Sequence, residues 1–149
     1  MKYSIEQISQ GENEVIIRYH ELTPEVERLL NFVNSYQGKL IGYRGSSQYV
    51  IGLSQILYIE SVDGKTFAYL AEDVLQVDFT LAQLEQMLNA VNFFRCSKSM
   101  ILNIDKVKAL KSLASNRIDA TMCNGEHILI SRTYASDFRK RLKGGRADE

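Results

Sequence analysis

Cysteine is scarce in this sequence, and the little there is cannot build a framework. Only Cys96 and Cys123 occur in 149 residues, too few and too far apart for a disulfide scaffold or a zinc knuckle, so both read as reduced thiols. Histidine is equally scarce. His20 and His127 form no HExxH pair, and there is no CxxC, no glycine-rich phosphate loop and no GxSxG, which leaves nothing to hold a metal or a cofactor. Ser97-Lys98-Ser99 sets hydroxyls beside a cation, but neighbours on an extended chain point to opposite faces, so the lysine is poorly placed to activate either serine. The expectation is a protein that is not an enzyme and has no cofactor, metal or small-molecule substrate. Long apolar runs are missing as well. None approaches the ~20 residues of a membrane span, and the start Met1-Lys2-Tyr3-Ser4-Ile5-Glu6 lacks the apolar core of a signal peptide, so a cytoplasmic location is expected.

What is present is the composition of an ordinary globular chain, 45% apolar and 24% charged, enough for one core and a small attachment. Its net charge of zero conceals a division. Residues 1–90 carry six lysines and arginines against twelve acids, whereas 91–149 carry the other twelve cations against six acids. A segment of that sign suits a phosphate backbone or an acidic surface, since each cation seated on a phosphate releases counterions. It also suits a solvated basic face balanced by the acidic half of the same molecule.

Along the chain, Tyr3 to His20 reads as a hairpin, with Glu14-Val15-Ile16-Ile17-Arg18-Tyr19 as the β-rich arm after Gly11-Glu12-Asn13. Thr23-Pro24 opens a helix whose Val26, Leu29, Leu30 and Val33 fall on one side. Lys39–Tyr43 is a short strand, and Arg44 to Ser47 a loop and candidate boundary. Closely spaced strands come next, with Asp63-Gly64 a two-residue hairpin signal that puts Lys65 at the mouth of a turn. Thr80 and Gln83 form a capping box for a helix lined by Leu81, Leu84, Leu88 and Val91 and ending near Asn92. In Arg117–Cys123 the apolar residues alternate, Asn124-Gly125 is the preferred pair for a two-residue type I′ turn, and Ser131 can cap a last helix carrying Tyr134, Phe138 and Leu142.

The densest string is Phe93 to Lys108, in which an aromatic pair and Met100-Ile101-Leu102 flank Arg95, Cys96, Ser97, Lys98 and Ser99. Rings anchored beside hydroxyls and cations can hold an anion; the same string also fits a core edge with ordinary solvated charges. Lys65, Lys98 and Arg132 all sit where turns or loops expose them. Lysine or arginine at such points can donate to guanine O6 and N7 while serines hold phosphates. No pair of helices suits a helix-turn-helix here, so DNA would be read from loops on a sheet.

Residues 45 to 143 resemble the LytTR DNA-binding domains of bacterial transcription regulators. The resemblance rests on Ile56-Leu57-Tyr58-Ile59-Glu60, on Phe94-Arg95-Cys96-Ser97-Lys98-Ser99 with Asn103 five residues beyond Lys98, on Asn124-Gly125-Glu126, and on Ile130-Ser131-Arg132 followed by Tyr134. It implies a mainly β fold, an elongated antiparallel structure with short helices, here preceded by a small α+β unit at 1–44 for dimerisation or partner contact and followed by a flexible tail at 144–149. It further implies a homodimer on double-stranded DNA, with Lys65, Lys98 and Arg132 at base edges and Arg95, Ser97, Ser99 and Ser131 at phosphates. The family often has histidine or asparagine where this chain has Lys65 and Lys98. Asn103 is expected to hold its own loop through side-chain to backbone bonds. Forty-four residues are too few for a receiver domain, so the resemblance is to the stand-alone type, often encoded beside a small membrane protein that restrains it. A different reading keeps the same scaffold as a protein-interaction module whose basic half docks an acidic partner.

Overall fold

The structure is a computed structural model that describes residues 1–88 and 92–147. Its first regular element is α1 (Pro24–Tyr36), where the Thr23 hydroxyl accepts from the Val26 amide and Pro24 occupies the first turn. Glu25 and Glu27 sit there too, on the end the helix dipole favours for acids. Ten strands and two more helices complete the described chain: β1 (Lys39–Arg44), β2 (Ser47–Gly52), β3 (Tyr58–Val62), β4 (Lys65–Tyr69), β5 (Val74–Val77), α2 (Leu81–Met87), β6 (Phe93–Ser97), β7 (Met100–Asn103), β8 (Val107–Leu113), β9 (Arg117–Met122), β10 (His127–Ile130) and α3 (Arg132–Ala147). Short 3-10 turns join several of them.

The strands form a seven-stranded sheet in the order β2-β1-β5-β4-β3-β7-β6 and a three-stranded sheet β10-β9-β8, with every pairing antiparallel. Because side chains alternate along a strand, the larger sheet feeds two cores. Ile59, Ala68, Leu75, Phe93 and Ile101 face α2 and bury with Leu81, Leu84 and Leu88. Tyr58, Cys96 and Leu102 face the other way and bury with Ile118, Met122, Ile130 and Phe138 from the small sheet and α3. The adjacent rings Phe93 and Phe94 are therefore split between the cores, and Phe94 meets Phe138 edge-on with centroids 5.2 Å apart. Close packing also explains Gly42 of β1: a Cβ there would lie 2.6 Å from Ile51 Cδ1 and 2.8 Å from Leu75 Cβ.

The two hairpin signals diverge. Asp63 and Gly64 both take positive φ, 52° and 77°, and Val62 pairs with Lys65, the two-residue turn expected. After β9 the turn closed by the Met122–Glu126 bond holds three residues, Cys123 to Gly125, instead of two. Gly125 alone has positive φ, at 91°, and Met122 N donates to Glu126 O at 2.7 Å. Asn124 accepts from Glu126 N at 3.1 Å, and this local bond completes the wider turn without a left-handed φ at Asn124.

Three expectations need correction. Tyr3 to His20 forms no hairpin: residues 1–23 hold no strand or helix, and among the described residues no hydrogen bond involves 1–20. Its β-branched residues lack a partner strand within the chain, and propensity without pairing does not make a sheet. The tail expected from residue 144 belongs instead to α3, which runs to Ala147; Gly144 does not take the left-handed φ that would end it. The boundary expected at residue 44 falls in the Gly45-Ser46 turn of a hairpin whose strands pair over six positions, so β1 belongs to the same sheet as β2 to β7. The helix end expected near Asn92, with Val91 on its face, falls partly outside the described residues; α2 itself ends at Met87.

Candidate nucleic-acid interface

The β6–β7 turn is the centre of the site. β6 carries a bulge between Arg95 and Ser97, which re-aims the chain as it leaves the sheet. Lys98 and Ser99 form the turn and both are exposed. Arg95 grips it from beneath: Nε donates to Ser97 O at 2.7 Å, one terminal nitrogen donates to Lys98 O, and the other donates to Glu85 Oε2 of α2 at 2.9 Å. A guanidinium suits this task because its planar fork reaches several acceptors at once. Ser97 Oγ accepts from Ser99 N at 3.3 Å, closing the turn on itself.

Two backbone bonds tie this turn to its neighbours. Ser61 N donates to Ser99 O at 2.8 Å, two residues before the Asp63-Gly64 turn and Lys65. Ser131 N donates to Cys96 O at 3.0 Å, one residue before Arg132. The Lys98 loop is thus flanked on one side by the hairpin that ends in Lys65 and on the other by the start of α3. Lys65, Lys98 and Arg132 are all exposed, Ser131 is half-buried, and the Ser131 carbonyl accepts from Tyr134 N and Ala135 N at 3.0 Å each, starting the helix.

Asn103 closes the far end of β7. Its Nδ2 donates to Ile56 O at 2.9 Å, its Oδ1 accepts from Asp105 N at 3.0 Å, and the residue is buried. These are the side-chain to backbone bonds anticipated for it. The strand between Asn103 and Lys98 is therefore fixed at both ends, which limits the entropy lost when its loop engages a ligand.

Several contributors were not apparent in sequence. Glu85 on α2 reaches Arg95 across ten residues, a contact that only the packing of α2 on β6 creates. Arg28 of α1 lines a cleft of about 400 Å³ together with Lys65, Thr66 and Asp78, a second cation near the β3–β4 turn. Tyr58 donates to Glu126 Oε2 at 2.9 Å and stacks on Tyr69 at 4.4 Å, joining the large sheet to the β9–β10 loop. Burial, reinforced by the bond to Glu126, pushes the Tyr58 phenol above its ordinary range. Burial likewise pushes the Cys96 thiol up to about 12, which leaves it protonated and unreactive at neutral pH. Among the described residues no cluster of His, Cys, Asp and Glu is set to hold a metal, and no helix is long and apolar enough to cross a membrane.

The family model for the LytTr DNA-binding domain matches residues 46–143. The chain belongs to the LytTR family. Its residues 46–143 are thus a LytTr DNA-binding domain. A solved LytTr DNA-binding domain, from a putative methyl-accepting/DNA response regulator of Bacillus cereus, is 28% identical and superposes with a TM-score of 0.67 over 70% of this chain and 96% of that one. The mainly antiparallel architecture with few helices is thus the LytTR fold. Among named relatives, sensory transduction protein LytT of Bacillus cereus is 26% identical over 95% of this chain and 53% of its own length. The LytT protein of Bacillus subtilis is 28% identical over 73% of this chain and 46% of its own. This chain spans about half the length of these curated relatives.

Proposed function

We propose that the protein is a sequence-specific transcription regulator that binds double-stranded DNA as a homodimer in the cytoplasm and reads successive major grooves of repeated half-sites. Lys98 is the central reader, flanked by Lys65 at the start of β4 and Arg132 at the start of α3. The single observation that carries this is the linkage of the three segments, in which Ser61 N to Ser99 O and Ser131 N to Cys96 O hold the Lys98 turn between the β3–β4 hairpin and the start of α3. Exposed cations on a shared rigid edge are suited to groove contacts, because the backbone behind them is already ordered.

The serines and Arg95 divide differently from one another. Ser97, Ser99 and Ser131 bring hydroxyls to the same edge and are assigned to phosphates. Arg95 has three nitrogens bonded within the protein and a side chain only 19% exposed. Its main contribution is therefore to set the Lys98 turn, with its remaining N–H protons available to a phosphate.

The test compares binding to a selected site with binding to random duplex. Lys98→Ala and Arg132→Ala should each weaken the specific complex by ~1–3 kcal/mol and relax base preference, while leaving random-duplex binding nearly unchanged. Equal losses on both duplexes would reduce these residues to phosphate contacts.

A further inference from the structure

The arm at residues 12–20 has the composition of a strand without a strand's partner. Val15 is 72% exposed, Ile16 65% and Tyr19 52%, and among the described residues no hydrogen bond involves residues 1–20. None of 12–20 takes a positive φ, so nothing in the backbone opposes an extended pairing. A row of free amides and carbonyls beside β-branched side chains is a template for another chain.

The sequence of the arm specifies which chain. In an antiparallel pairing about a two-fold axis through Ile16, Glu14 of one copy lies opposite Arg18 of the other, Glu12 opposite His20, Val15 opposite Ile17, and Ile16 opposite itself. Each acid then faces a basic residue, and the apolar centre faces an apolar centre. A two-fold interface demands such self-complementarity, since one surface must serve as both partners. Residues 12, 14, 16, 18 and 20 share one face of the strand, so the Glu14–Arg18 and Glu12–His20 pairs flank Ile16 on a single side and Val15, Ile17 and Tyr19 line the other.

We propose that this arm is the homodimer interface, a two-stranded antiparallel ribbon of residues 12–20 contributed by two copies of the chain. The assignment rests on the homodimer inferred above and names its surface. Opposite charges placed directly across an antiparallel pair attract and like charges repel. Because the symmetry repeats each pair, a single reversal is felt twice.

Sedimentation of the full chain distinguishes the possibilities. Wild type should be dimeric, and Glu14→Arg and Arg18→Glu should each raise the dimer dissociation constant by about tenfold or more. An equimolar mixture of the two variants should regain dimers to within about threefold of wild type, because each copy then supplies the charge the other needs. The double variant E14R/R18E should do the same alone, with an unchanged thermal melt for every variant as the check on folding. A monomeric wild type would overturn both the homodimer and this interface. A dimer indifferent to both single reversals would overturn the interface alone, pointing to another surface such as the uncharged β2 edge. Weakening without rescue by mixture or double variant would also overturn it.

Discussion

Lys98 is an exposed charge in a turn and Arg132 one at the first position of α3, both on backbone held by other residues, so losing either side chain should leave the fold intact. Arg95 differs because its guanidinium holds the Ser97 and Lys98 carbonyls and Glu85 together. Arg95→Ala should therefore weaken specific binding and lower stability together, by ~1–3 kcal/mol in the melt, whereas Lys98→Ala changes binding alone. Glu85→Gln keeps a neutral acceptor for Arg95 and should fall between them. Cys96 supplies a different test. Its thiol is raised from 9.0 to about 12 by burial, so the folded state keeps a proton that the unfolded state releases. The associated stability is complete below about pH 9 and is lost as pH climbs towards about 12, with the raised Tyr58 phenol adding to the loss above about 10. In the native protein near neutral pH a thiol reagent should label the exposed Cys123 and spare Cys96; equal labelling would contradict the buried placement.

At the scale of elements, the attachment of α3 decides whether Arg132 stays in line with Lys98. Phe138 is fully buried against Phe94 and the small sheet, and Phe138→Ala should cost ~3–5 kcal/mol by calorimetry. Gly42→Ala should also destabilise, since the added Cβ meets Ile51 and Leu75 well inside contact distance. The strands and helices around these residues were legible where local signals agree with packing. The Thr80 and Gln83 capping box, the Asp63-Gly64 turn and the alternation in β9 all form as their residue types dictate. The arm at 14–19 was misread because β-branched and aromatic residues report only β-propensity, and a strand also needs a neighbour. Asn124-Gly125 was misread because the amide side chain of Asn124 satisfies Glu126 N locally and makes the longer loop equally closed. The placement of the candidate site was partly legible: exposure of Lys65, Lys98 and Arg132 follows from their turns. The bonds that tie those turns together, and the reach of Glu85 to Arg95, depend on register between strands and on helix packing that no short pattern carries.

For the whole molecule, the division of charge acquires a geometry. The basic half contributes β6 through α3, and the acidic half contributes α1, the arm, α2 and the other five strands of the large sheet, β1 to β5. If about six phosphates are neutralised in the complex, the affinity should fall with salt at a log–log slope near −5. A response near zero would remove the phosphate contacts on which the assignment of Ser97, Ser99 and Ser131 depends. The arm sets a second, independent constraint, because a two-fold dimer fixes how two LytTR modules are spaced on DNA. The most direct test of sequence-specific reading is a selection of the full chain on random duplexes, run in parallel with the Lys98→Ala variant. Wild type should enrich a repeated motif, and Lys98→Ala should lose preference at defined positions of it. No enriched motif for wild type, or an identical motif for the variant, would contradict the assignment of Lys98 as the central reader.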